Sequence, residues 1–386
     1  MRKLLSFLVC ALLMVSGFSV LIACDKDPDN SLKYVPVFGV DATTAAQDAI
    51  EAGKMVGTIK QDAVGMAKGI VYLARNVQAG KELMDSTIEF NIDDGADKIR
   101  IPYAIYTGAD SSSESDIPTW SGTAGADKLN VQVFWYTYSD TYLASVRTAM
   151  TTEFTALSAN FNVTHNDCEN DQAKQQSKVE TAITAGADLL IVNIVTTGSD
   201  QAAQNIIDSA ETAGIPIVFF NREVSDASVN SYEDCCFVGT DADEAGYMQG
   251  KMIAEFLLKD GNLEKYDVND NKKIDYVMLR GELGNAEAFG RTKFSVSEAN
   301  RLLLAANSAY KLVPSKANAT DNTQPDDGIS PFYLYGNWSA ATAKSLMDTA
   351  LTTHSPSKGD IELIIANNDD QALGAIESLN EIGYNK

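Results

Sequence analysis

Tyr34-Val-Pro-Val-Phe-Gly-Val-Asp41 reads as a buried strand that ends on an acid and runs into a helical segment, Thr43 to Ala52. In a parallel α/β sheet such a strand has neighbours on both sides, and a strand–helix unit is expected to precede it. Here only a leader and a short polar tail do. The missing unit lies at the other end of the chain. Ile361-Glu-Leu-Ile-Ile-Ala366 is a strand, Asn367-Asn-Asp369 its turn and Gln371 to Ile382 a helix, and the sequence stops at Lys386 where a further strand is due. Read from that end into the beginning, the order is strand, helix, strand. The pattern therefore predicts a circular permutation, which α/β domains tolerate when the original termini lie close together.

The chain has 386 residues, 45% of them hydrophobic, which suits two domains each with its own core. Its net charge of −23 argues against binding nucleic acid by phosphate neutralisation. Residues 1–23 form a leader: Arg2-Lys3, an apolar run from Leu4, then Leu21-Ile-Ala-Cys24. The run is too short, and too soon followed by polar residues, to favour a spanning helix. Leu-Ile-Ala-Cys resembles a bacterial lipobox, which implies cleavage before Cys24 and lipidation of its thiol. The plainer alternative is an ordinary secretory signal. Acyl chains on Cys24 would tether the protein to a bacterial membrane, on its periplasmic side, through the short segment 24–33. Cys168, Cys235 and Cys236 do not make a disulfide framework and read as small apolar residues.

Strands and helices alternate along the chain. After Met55–Ile59 and the helix Gln61–Asn76, Thr87–Phe90 and Lys98–Ile105 read as strands of a connecting ribbon. Thr107–Asp127, rich in Ser, Asp and Gly, reads as a flexible linker that joins the former termini, with Trp120 placed to dock on a domain surface. From Leu129 the βα alternation is regular and predicts parallel sheets flanked by helices. The expected architecture is α/β: two doubly wound parallel-sheet domains with a hinged cleft. One lobe comprises residues 34–61 and 223–386 with about 103–107, the other 62–102 and 128–222, and 108–127 is the linker. Ligands of open α/β sheets sit beyond the carboxyl ends of the strands. The residues there are rich in Asp, Asn, Gln, Arg, Trp and Tyr. Carboxylates, amides and Arg suit the hydroxyl rim of a sugar, and aromatic rings suit its C–H faces. A Gly-rich loop and a cationic excess, which a phosphate ligand calls for, are missing; an amino acid ligand remains open from composition alone.

Several collinear motifs are similar to those of the periplasmic glucose/galactose-binding proteins of ABC sugar import. They are YTYSDTYLASVR (136–147), NDQAKQ (170–175), VFFNRE (218–223), VGTDADEAGYMQG (238–250), LRGE (279–282), IIANNDDQALGA (364–375) and PVFGVDA (36–42). The resemblance covers most of the mature chain, with its two segments exchanged in order. It implies the type I periplasmic-binding-protein fold and a hexose ligand, glucose or galactose. The implied sugar contacts are Asp140 and Asn193 to hydroxyls, Tyr142 and Trp338 on the two ring faces, Tyr136 on the rim, and Asn285, Glu287, Arg291, Asn368, Asp41 and Gln61. Asn285 and Glu287 stand where the family usually has His and Asp, and Gln61 replaces an Asn. Trp135 lines either the cleft or a buried wall.

The resemblance also implies calcium. Asp267, Asn269, Asn271 and Asp275 place oxygen side chains at alternate positions, Lys273 would offer its backbone carbonyl, and Glu362 would complete the shell. Lys272 stands where the sharp turn prefers Gly, and an Asn/Asp-rich turn is the plainer reading. The expected partners are a hexose, the membrane subunits of an ABC transporter and, compatibly, a chemoreceptor; a monomer is expected. No chemistry is expected. A glycosidase would use a carboxylate pair such as Asp140 and Asp41 and would turn over a chromogenic glycoside. A sugar-responsive regulator of the lactose-repressor type would carry a DNA-binding head where this chain has its leader.

Overall fold

The structure, a computed structural model, describes residues 33–108, 115–259, 261–321 and 333–386. The leader, Cys24 and linker residues 109–114 lie outside the described residues.

Two sheets form two lobes. The first runs β12 (Lys311–Pro314), β11 (Lys273–Arg280), β14 (Leu363–Ala366), β1 (Val37–Asp41), β2 (Gly57–Lys60) and β5 (Ala104–Tyr106), with β13 (Leu334–Tyr335) also on β11. All its pairings are parallel except β2 with β5. β1 is buried along its whole length and apolar up to its last residue, Asp41, as a strand covered on both faces is. It sits between β14 and β2, with Val37 opposite Ile364 and Phe38 opposite Ile365. The strand at the start of the chain thus joins the strand near its end, in one sheet, as the opening stretch predicts.

The two ends are also stitched by side chains. The Asn385 amide accepts from Val35 N at 2.9 Å and donates to Val35 O at 2.7 Å and Lys54 O at 3.0 Å. Asp369 accepts from Thr58 Oγ1 at 2.6 Å and from Thr43 N at 2.7 Å. Around this sheet pack α1 (Thr44–Glu51), α7 (Ala242–Leu257), the short α8 (Asn262–Tyr266), α9 (Ala286–Ala305), α10 (Ala340–Leu351) and α11 (Asp369–Glu381). α7 and α9 approach closely because Gly246 has no side chain; a Cβ there would stand 2.4 Å from Gly290 O.

The second sheet runs β3 (Asn91–Ile92), β4 (Lys98–Arg100), β10 (Cys235–Gly239), β9 (Ile217–Phe220), β8 (Leu189–Val192), β6 (Leu129–Trp135) and β7 (Phe161–Asp167). It carries α2 (Ala63–Gln78), α3 (Thr141–Ala156), α4 (Gln172–Thr184), α5 (Asp200–Ala213) and the single turn α6 (Asp226–Val229).

Some expectations shift. The boundary at residue 223 does not hold, because β10 pairs with β9 and β4 in the second sheet and the chain crosses only at Thr240–Asp241. A fully buried apolar strand carries no mark of which sheet it joins; the crossing is marked instead by Asp241, whose carboxylate caps α7. Lys98–Ile105 is two strands, β4 in one lobe and β5 in the other. Between them residues 101–103 cross between the lobes through Pro102, which has no N–H to offer a ladder. Thr87–Phe90 is a turn, closed by Phe90 N donating to Thr87 O.

Trp120 does dock. Its Nε1 donates to Asn76 Oδ1 at 2.8 Å, the Arg75 guanidinium lies 4.0 Å from its ring, and Gln78 holds Gly125 O at 3.0 Å, so the later part of the linker is laid along α2. Cys168, Cys235 and Cys236 are free and buried; burial pushes the Cys235 thiol up to about 12.

Candidate functional site

The carboxyl ends of β1, β2, β6, β9, β11 and β14 converge between the lobes. Three of them, β6, β11 and β14, lead to a helix whose N-cap is a polar residue that faces the cleft. Asp140 caps α3 through Leu143 N (2.8 Å), Asn285 caps α9 through Ala288 N (2.9 Å) and Asn368 caps α11 through Gln371 N (3.1 Å). Such caps satisfy otherwise unpaired N–H groups and fix the side chain at the strand end.

A cavity of about 50 Å³ lies there, lined by Asp41, Gln61, Tyr136, Asp140, Tyr142, Asn285, Glu287, Arg291, Trp338 and Asn368, all expected from the sequence, together with Asn221 and Arg222. Asn193 is the exception. It is fully buried beneath the cavity, accepting from Tyr136 N at 3.3 Å and donating to Phe220 O at 3.0 Å and Asn221 Oδ1 at 3.2 Å. It is a bracket that ties the ends of β6 and β9, the amide role that suits a strand terminus. Trp135 is likewise wall, with Nε1 donating to His165 Nδ1 at 3.1 Å and its ring edge-on to Phe220. Asn221 and Arg222 are missing from the expected set of sugar contacts, although both stand in the VFFNRE motif; of the two, Arg222 is the more tightly held. Its guanidinium lies 4.1 Å from the Tyr136 ring, donates to Val195 O and pairs with Glu282 across the cleft.

Arg291 organises the rim. It donates to Asn367 O at 2.9 Å, Tyr103 OH at 3.1 Å and Gln61 Oε1 at 3.3 Å, and stands 3.6 Å from Asp41. Burial holds the Asp41 carboxyl well above its ordinary value, against the pull of Arg291. Asp41 itself has φ of +120°, a strained backbone for a residue other than Gly, of the kind that gathers at binding sites. Tyr136 donates to Asp140 Oδ2 at 2.8 Å; burial and that carboxylate raise its phenol.

Glu287 is the most telling. It is 5% exposed, yet neither carboxylate oxygen has a hydrogen-bond partner, and burial raises its pKa. The Nε atoms of Arg222 and Arg291 are also buried without partners. Unpaired buried polar atoms are costly, so a group of them around one cavity marks a place built for a polar guest.

The aromatic walls come from opposite lobes, Tyr142 from α3 and Trp338 from the turn before α10. The lobes meet around the cavity: Thr141 donates to Asp370, Arg222 pairs with Glu282, and Gly198 abuts the Gly284 carbonyl.

The 267–275 loop, where calcium was expected, turns sharply. Lys272 is left-handed at φ +61°, and Asp267 accepts from Asn271 N at 2.9 Å and Lys272 N at 3.0 Å. The Glu362 carboxylate, pushed up to about 7 by burial, accepts from Val268 N at 2.7 Å and Asp275 N at 2.9 Å. Asn269 turns its amide to Gly359 O, and Asn271 reaches Asp275 at 3.5 Å. Among the described residues no three His, Cys, Asp or Glu side chains stand close enough together to hold a metal.

A model of the periplasmic binding protein domain matches residues 131–386, two thirds of the chain. The chain belongs to the periplasmic binding protein family. Within that family it is 31% identical over 278 residues to the D-galactose/methyl-galactoside binding periplasmic protein MglB of Haemophilus influenzae, covering 72% of this chain and 71% of that one. It is 30% identical over 217 residues to a putative rhizopine-binding protein of Rhizobium meliloti, covering 56% of this chain and 57% of that relative. Among solved structures, an ABC transporter solute binding protein from Clostridium phytofermentans with bound β-D-glucose aligns at a TM-score of 0.47 and 20% identity, covering 65% of this chain and 68% of that one. Both curated relatives are named as binding proteins.

Proposed function

We propose that this chain is a lipid-anchored receptor that closes its lobes around one hexose, glucose or galactose, and presents the closed form to an ABC permease. The observation that carries the reading is the make-up of the cavity wall. Tyr142 and Trp338 supply a ring on each side, and between them stands a rim of carboxylates, amides and Arg291 in which Glu287 keeps both oxygens unpartnered. A hexose offers hydroxyl donors to that carboxylate and C–H faces to those rings. Because the contacts come from both lobes, binding and closure are one event, and the sugar stabilises closure only by the contacts made there. The galactose and methyl-galactoside named for the Haemophilus relative support a hexose over a pentose.

The anchor rests on the Leu21–Cys24 signature, and with it a periplasmic location at a bacterial membrane. The delivery partner is the membrane part of an ABC transporter; a chemoreceptor would read the same closed form. The receptor works as a monomer. The circular permutation is supported by β1 lying beside β14, by the Asn385 stitch, and by the family match beginning at 131, which leaves out β1, β2 and β5 of the first sheet. Calcium at the 267–275 loop is part of the proposal: Asp267, Asn269, Asn271, the Lys273 carbonyl, Asp275 and Glu362 would hold it only after rearranging, with Asn269 leaving Gly359 O and Glu362 exchanging backbone N–H groups for the ion. A calcium titration followed by melting temperature tests this: a rise supports it, and no change at millimolar calcium refutes it.

Of the three tryptophans only Trp338 lines the cavity, since Trp135 and Trp120 are packed elsewhere. Fluorescence titration with glucose and galactose therefore tests the reading. A saturable change that is absent in Trp338→Phe supports it, and no change with either sugar removes it.

A further inference from the structure

Apart from the 107–128 segment, the described chain passes between the lobes at three short crossings. These are Gln61–Asp62 between β2 and α2, residues 101–103 between β4 and β5, and Thr240–Asp241 between β10 and α7. Each crossing gives one polar side chain to a closed ring of hydrogen bonds, and Arg291 is the fourth member. Arg291 Nη2 donates to Gln61 Oε1 at 3.3 Å and to Tyr103 OH at 3.1 Å. Gln61 Nε2 donates to Thr240 Oγ1 at 3.0 Å, and Thr240 Oγ1 donates to Tyr103 OH at 2.8 Å. All four residues are at most 6% exposed, so water does not compete for these bonds. Further bonds tie the second crossing to the third: Ile101 N donates to Gly239 O at 2.7 Å and Arg100 Nη1 to Thr240 O at 2.8 Å.

The ring bears on the cavity through one group. A guanidinium is planar and rigid, so holding two of its nitrogens fixes the third. In Arg291 the ring holds Nη2, while Nη1 donates to Asn367 O at 2.9 Å and stands 3.6 Å from Asp41. The third nitrogen, Nε, is buried without a partner, on a residue that lines the cavity. A buried N–H of a charged group left unpaired is costly, and a guest that brings an acceptor satisfies it. Gln61 also lines the cavity, but both ends of its amide are engaged in the ring, and Tyr103 and Thr240 stand outside the cavity lining.

We propose that Gln61, Tyr103 and Thr240 are positioning residues that hold the Arg291 fork so that its Nε–H meets a sugar oxygen, which makes hexose affinity depend on the geometry of the three crossings. This rests on the hexose reading above and names how that site is set. The three residues act on the sugar through Arg291. Opening of the lobes turns the crossings against one another and breaks the ring, which releases the fork; closure restores both.

The test is calorimetric titration of the full chain with glucose and galactose, with thermal melting of the same preparations. The proteins are wild type, Tyr103→Phe, Thr240→Val, Thr240→Ser, Arg291→Lys and the double variant Tyr103→Phe with Arg291→Lys. Tyr103→Phe and Thr240→Val each delete one hydroxyl of the ring and are expected to weaken hexose binding about fivefold or more, whereas Thr240→Ser keeps the hydroxyl and stays within about twofold of wild type. Arg291→Lys has no fork to hold, so in that background Tyr103→Phe is expected to cost less than about twofold. Wild-type affinity in both Tyr103→Phe and Thr240→Val overturns the proposal and leaves the hexose reading standing, and so does an equal loss from Tyr103→Phe in the two backgrounds. Should Tyr103→Phe fail to fold, or Arg291→Lys bind too weakly to titrate, the Thr240 pair decides: affinity lost in Thr240→Val and kept in Thr240→Ser supports the ring, and equal affinity in the two overturns it. No heat from either sugar with wild type overturns both readings.

Discussion

Replacing Glu287 with Gln separates binding from folding, because the two respond with opposite sign. Glu287 is buried at the start of α9 with neither oxygen hydrogen-bonded, and burial raises its pKa. Gln keeps the shape and removes the charge. In the free protein this relieves a desolvated carboxylate, while Arg291 keeps Asp41, Asn367 O, Gln61 and Tyr103 as partners. The free variant is therefore expected to be as stable as wild type or more stable, by about 1 kcal/mol. In the complex a carboxylate that accepts sugar hydroxyls contributes about 1.5–3 kcal/mol as a charged hydrogen-bond partner, so the variant binds about 10- to 150-fold more weakly. Calorimetric titration and thermal melting of the same preparations read both quantities. An affinity equal to wild type refutes the contact. A melting temperature that falls together with affinity refutes the claim that Glu287 is held unpaired for a ligand.

Asn385→Ala removes three hydrogen bonds, two of them buried, that join the two ends of the chain and is expected to cost about 2 kcal/mol, seen as a shift in denaturant midpoint without a change in slope. Gly198 has φ of +70° and a Cβ there would stand 2.7 Å from Gly284 O, so Gly198→Ala is expected to hold the lobes apart and weaken ligand binding several-fold; unchanged affinity would show that this contact is not part of closure. The Asp369 carboxyl is pushed up to about 7, chiefly by burial, from an ordinary value of 3.8. The folded protein therefore takes up this proton before the unfolded chain does. Its share of stability is present below about pH 4, is lost as pH rises towards 7, and changes no further above. A carboxyl NMR titration of Asp369 with a midpoint near 4 would remove the effect.

The candidate site was legible because the residues that face the cleft are also local caps. Asp140, Asn285 and Asn368 each follow an apolar strand and open a helix, a pattern visible in the chain before any fold is assumed. The pairing of the first strand with one near the end of the chain was legible for a related reason, since a strand such as 34–41 needs a neighbour on each side and β14 supplies one. What sequence did not reveal depends on contacts distant in the chain. β10 is apolar and buried throughout, and only its partners β4 and β9 place it in the second lobe. Asn193 has the composition of a ligand contact, but Phe220 and Asn221 arrive from another strand to claim its amide. Arg222 reads as a charge after a strand; its place in the wall comes from Tyr136 beneath it and Glu282 on the opposite lobe.

The measurement that bears most directly on the central claim is calorimetric titration of the purified protein with glucose, galactose and ribose, alongside Trp338→Ala. The account predicts saturable one-to-one binding of at least one hexose with micromolar or tighter affinity, weaker or no binding of ribose, and a loss of about tenfold or more in the variant. Heat from none of the three sugars, or hexose binding that Trp338→Ala leaves untouched, would contradict it.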